Sequence, residues 1–340
     1  MLSRIASSLY WMGRHLERAE NTARLLQVNS LAMTESPVNA GTAELVAGSW
    51  EQLLAMTDDR EQFDVWYTGA GREEVVEWLT AHPGNPSSVR ASLANARDNA
   101  RTVRFHINLE MWEALNRCYN DLRGLEADLP SYAGLNAYCA AVRETTNLFF
   151  GIAEATLPRN EGWYFLSLGR YLERMDNVLR LLFSEYGEAP HPAYSDSVVR
   201  DFRSRAFLRS VGAYEAFRKR ENLALDPAAI ADFLLLDSTF PRSVRWSAER
   251  ANEASHAIEG LTGGSPQPAR LAGWLAAQLE YLPGGTQVIQ QQRPSLSELI
   301  DAVAEIAEKT DLAYFQVQGP DLLLSIPQQQ QQQQQQCSPH

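Results

Sequence analysis

The chain has 340 residues, of which 45% are hydrophobic and 21% charged, and its formal net charge is −12. That composition excludes a disordered chain, a collagen-like repeat and a small disulfide scaffold. The acidic balance argues against nucleic acid or an anionic membrane as partner, since both select basic surfaces.

Taken in chain order, the predicted elements are helical. The opening segment places Leu9, Met12, Leu16, Ala19, Ala23 and Leu26 on one face of a long helix. Shorter helical stretches are expected near 43–56 and 72–81. A second long helix, 88–107, presents Val89, Leu93, Ala96, Ala100, Val103 and Ile107 on one face. Helical stretches follow at 109–123, 133–156, 162–186, 196–220, 227–236, 242–260, 267–281 and 295–314. Breakers rich in Pro and Gly separate them, at 82–86, 129–130, 189–192, 262–268 and 282–285. Asn85, followed by Pro86, and Asp237 are expected to cap the helices after them. The apolar run 233–237 reads as a buried helix end before Pro241. Alternating strand patterns are nearly absent, so the expected fold is all-α.

Gln328 to Gln336 is an unbroken glutamine run, so residues 317–340 are expected to form a disordered tail. Cys118, Cys139 and Cys337 fit no metal or disulfide spacing, and charge interrupts the N-terminal apolar run. These features lead to a soluble cytoplasmic protein with reduced thiols and no membrane span.

The segment from Gly13 to Leu26 recurs from Gly169 to Leu182, with nine of fourteen positions identical. A second pair, residues 85–90 and 240–245, keeps almost the same offset. The order and spacing predict two duplicated helical units, 1–156 and 157–316, packed as one elongated bundle. Within the repeat, Arg14, Glu17, Asn21 and Arg24 form a polar stripe opposite the apolar face, repeated as Arg170, Glu173, Asn177 and Arg180. Surface positions usually drift between duplicated halves, so the repetition of these four suggests that both stripes face something. An interlocked network between two equivalent helices, a ligand or catalytic site, and an indifferent surface all fit the pattern.

The segments 2–26, 111–116, 161–177, 210–220 and 234–245 together resemble the bacterial alpha-E domain family, over essentially all of the chain except the tail. Members of that family tend to be encoded beside, or fused to, circularly permuted ATP-grasp proteins and transglutaminase-like cysteine peptidases. The resemblance therefore implies a component of a peptide- or amide-bond-forming modification system. This chain has no Walker-type glycine loop and no Cys-His-Asp arrangement. An accessory subunit of an ATP-grasp ligase is thus the leading expectation, with ATP and magnesium held by the ligase and no cofactor or metal bound directly. Its further partners would be a peptidase and a peptide substrate, and a homo-oligomer stays open. The first alternative is an enzyme in its own right, with Glu17 and Glu173 as acid/base groups held by Arg14 and Arg170. Asn21, Asn177, Arg24 and Arg180 are then binding candidates. The second alternative is an oligomeric scaffold.

One further stripe is singled out. Arg90, Arg97, Arg101 and Arg104 share a sector of the 88–107 helix and are candidates for binding an anion or an acidic partner. One Glu-x-x-His pair, Glu253 and His256, falls short of what a di-metal carboxylate site in a bundle requires.

Overall fold

The computed structural model describes residues 1–35, 50–57, 59–187, 197–220, 225–290 and 294–316. Among them there is no strand. The helices are α1 (Ser3–Glu35), α2 (Trp50–Thr57), α3 (Arg60–Phe63), α4 (Arg72–Thr80), α5 (Val89–Thr102), α6 (Leu109–Leu125) and α7 (Tyr132–Thr156). They continue as α8 (Glu161–Tyr186), α9 (Ser197–Ser210), α10 (Tyr214–Arg218), α11 (Pro227–Leu236), α12 (Val244–Thr262), α13 (Gln267–Glu280), α14 (Gly285–Ile289) and α15 (Leu296–Tyr314). The fold is all-α, as the periodicity predicts, and the six apolar positions chosen on α1 are all essentially inaccessible.

Local chemistry sets the helix starts. Ser131 and Asn160 cap α7 and α8 through their side-chain oxygens. Asp226 caps α11, with Pro227 in its first turn. Ser295 and Glu298 form a reciprocal capping box on α15.

Three details differ from the sequence reading. Ser88 and Ser243, not Asn85 and Asp237, cap α5 and α12. Asn85 instead accepts from Ser87 N–H and donates to Trp78 O, while Asp237 accepts from the N–H groups of Thr239 and Phe240, so both side chains fold the preceding turns. The 196–220 stretch is broken after Ser210, where Gly212 adopts φ +72°, a conformation that ends a helix. The 88–107 helix stops at Thr102, and Val103 stays buried beyond its end. Residues 43–49 and the tail from 317 lie outside the described residues.

At the centre, α1 packs along α8. Around α1 lie α5 and α7, bridged by α6; around α8 lie α12 and α15, bridged by α13. The short α2 leans on α8, and α9 leans on α1. This correspondence supports our proposal that 1–156 and 157–316 are duplicated units. The central crossing is tight because two glycines face backbone: a Cβ on Gly13 would overlap Leu166 O, and one on Gly169 would overlap Tyr10 O. No described helix is long and apolar enough to cross a membrane.

Candidate functional site

The close approach of α1 and α8 lets long side chains on each reach the other. Glu17 and Glu173 lie beside the crossing and are 2% and 5% exposed. Arg14 Nε donates to Glu173 Oε2 at 2.7 Å, and Arg18 donates to both carboxylate oxygens at 2.5 and 3.0 Å. The reverse set is equivalent. Arg170 Nε donates to Glu17 Oε2 at 3.3 Å, and Arg174 donates to both oxygens at 2.7 and 2.9 Å. Each glutamate therefore takes two guanidiniums from the opposite helix, one of them bidentate.

The electrostatics follow. Burial opposes ionisation of Glu173, but Arg18 and Arg14 outweigh it and hold the carboxyl at about 2. Glu17 is likewise held well below the carboxylate range, against its burial, by Arg174, Arg242 and Arg170. Arg170 is pushed down to about 10 by burial and by Arg174 beside it, and stays cationic at neutral pH. His15, beside Arg18 and Arg14, is pushed down to about 4 by burial and by those charges, and its Nδ1 has no hydrogen-bond partner.

A second layer flanks the glutamates. Arg24 pairs with Glu20, and Arg180 pairs with Asp176 at 2.9 Å, each one turn apart on its own helix. Arg242, in the turn before α12, donates to Glu20 Oε2 at 2.8 Å and to Asn21 Oδ1 at 3.2 Å, and lies 3.7 Å from Glu17. Against its burial, Glu20 is held down by Arg242 and Arg24. The sequence-predicted Arg14, Glu17, Asn21, Arg24, Arg170, Glu173, Asn177 and Arg180 thus gather around one hub, which sequence reasoning completed only in part. Arg18, Arg174 and Arg242 were missed. The Arg18 and Arg174 signal was their identity in the repeat, and the Arg242 signal was its contrast with Ser87.

The other basic stripe does not converge on one point. Arg90 donates to Ala81 O and pairs with Glu126, and Arg101 pairs with Asp98. Arg97 and Arg104 both lie over Trp112, with Arg97 also donating to Asn116. Near the starts of α1 and α8, Tyr10 and Phe165 are buried, and Phe315 packs against both. Glu253 pairs with Arg250, and among the described residues no three His, Cys, Asp or Glu side chains form a metal-holding group.

An all-helical protein built on a reciprocal glutamate–arginine hub is the class these observations define. The chain belongs to the Alpha-E family, described as a predicted alpha-helical domain with a conserved ER motif, whose model matches residues 1–315. Glu-Arg occurs here at 17–18, 173–174 and 249–250, and the first two pairs are the hub itself. The chain is similar to uncharacterized proteins of Mycobacterium bovis and of two strains of Mycobacterium tuberculosis. It is 26% identical to each over 285 residues, covering 79% of this chain and 31% of the relative, so it spans under a third of their length. No solved structure matches.

Proposed function

We propose that the protein is a non-catalytic accessory subunit of a peptide- or amide-bond-forming modification system, acting in the cytoplasm beside an ATP-grasp ligase. The observation that carries this reading is the reciprocal pairing of Glu17 and Glu173 with arginines. Each is buried, ionised and occupied by two arginines from the opposite helix. A general base needs a pKa near the working pH, and both glutamates are held far below it by the arginines. The hub is suited to holding a shape that a partner reads. The partial coverage of the mycobacterial relatives is in keeping with a domain that works alongside other chain. On this reading ATP and magnesium bind the ligase, and the peptide substrate and a transglutaminase-like peptidase are the further partners.

The test combines this chain with the ATP-grasp protein of its own genomic neighbourhood. Co-elution on a sizing column, with peptide-dependent ATP turnover that requires this chain, is the expected result. Separate elution and unchanged turnover refute the accessory role. Loss of turnover in Glu17→Gln at unchanged thermal stability would instead make the glutamates acid/base groups.

A further inference from the structure

The two flanks of the hub are built alike, with Glu20 on one answered by Asp176 on the other, and a difference in the turns before α5 and α12 leaves one of them open. Ser88 and Ser243 cap α5 and α12 by the same bond, each Oγ accepting the N–H three residues on. This fixes Ser87 and Arg242 as equivalent positions. On the closed flank the Arg242 guanidinium bridges Glu20 and Asn21 and approaches Glu17. The equivalents of those three acceptors on the other flank are Asp176, Asn177 and Glu173, and Ser87 is too short to reach them. There they line an open cleft of about 250 Å³, together with Arg18, Asn21, Asp59, Ser87 and Arg180.

We propose that this cleft binds a guanidinium group, the arginine side chain of a peptide or protein partner, in the place that Arg242 fills on the closed flank. The chain's own Arg242 is the template for the ligand: a planar fork donating to a carboxylate on one helix and an amide oxygen one residue along. A second observation points the same way. Asn21 is 6% exposed and lines the cleft, and its Nδ2, the end of the amide that Arg242 does not take, has no partner. A backbone carbonyl of the peptide bearing the arginine supplies the missing acceptor. Charge agrees with geometry. Burial pushes the Asp176 carboxyl up, and Arg180 offsets only part of that, whereas Glu20 is held down by Arg242 and Arg24. Arg242 has Ser87, an uncharged residue, as its counterpart on the open flank. The inference does not depend on the ligase reading.

The experiment titrates the full chain with N-acetyl-L-arginine amide and with its neutral isostere N-acetyl-L-citrulline amide, read by calorimetry and ligand-observed NMR. One arginine probe per chain is expected, with the citrulline probe bound roughly tenfold more weakly because the charge-assisted bonds are lost. Ser87→Arg rebuilds the closed flank and abolishes binding. Asp176→Asn weakens it roughly tenfold, because a charge-assisted acceptor of the guanidinium is lost. No arginine binding at millimolar probe, equal binding of citrulline, or full binding in Asp176→Asn overturns the proposal.

Discussion

Replacing Glu173 by Gln keeps the shape of the side chain and removes the charge that Arg14 and Arg18 share. One of its two oxygens becomes an NH2 facing guanidinium donors 2.5–3.0 Å away. Breaking a buried pair by neutralising one partner costs about 3–5 kcal/mol, because the other charge stays buried without compensation. The Arg18 side chain is 27% exposed and can turn toward water, which places Glu173→Gln near the lower end, about 3 kcal/mol. Glu17 is harder to relieve, since Arg174 is 6% exposed and Arg242 15%, so Glu17→Gln falls near the upper end, about 5 kcal/mol. At about 2 °C per kcal/mol for a chain of this size, the melting temperature drops by about 6 °C in the first variant and about 10 °C in the second. Differential scanning calorimetry of both variants, at one pH and protein concentration, reads this directly. Melting curves that match the parent in both variants would refute the argument that the hub is a buried, fully compensated network.

Three further predictions follow from the same packing. Gly13→Ala and Gly169→Ala lower stability, although Gly to Ala inside a helix ordinarily raises it by about 1 kcal/mol, since each new methyl meets backbone of the facing helix; calorimetry gives the sign. Stability falls as pH drops from about 6.5 to about 4, because the unfolded chain protonates His15 in that window and the folded chain does not. The His15 contribution is about 3 kcal/mol, and a urea-unfolding pH series should flatten in His15→Phe. Cys118 and Cys139 are buried and their thiols are pushed up, Cys139 to about 12, so neither reacts with a disulfide reagent until the chain unfolds.

The sequence made the helices legible because α1, α5 and α8 carry strict apolar spacing, and the repeat exposed the polar stripe by holding it fixed in two places. It did not show who pairs with whom. On a helical wheel Arg18 and Glu20 sit about 80° to either side of the stripe's centre, and a wheel has no length, so it misses how far an arginine reaches across a glycine-tight crossing. Arg242 is more than 200 residues from Glu20 in sequence. No local pattern links them, and only the substitution of Arg for Ser within a matched pair of turns hinted at it. The caps were misplaced by three residues at Asn85 because Asn and Ser both serve caps and turns, and the chain there uses each for one task.

The exchange of partners between α1 and α8 ties the order of synthesis to the order of folding. When residues 1–156 have left the ribosome, Arg14, Arg18 and Glu17 exist without the groups of α8 that neutralise them, for Arg170, Glu173 and Arg174 are still to be made. Helices α5 to α7 can gather on α1, but its charged face has to stay in water until α8 arrives. The hub therefore closes late, and only in a chain long enough to bring both glutamates.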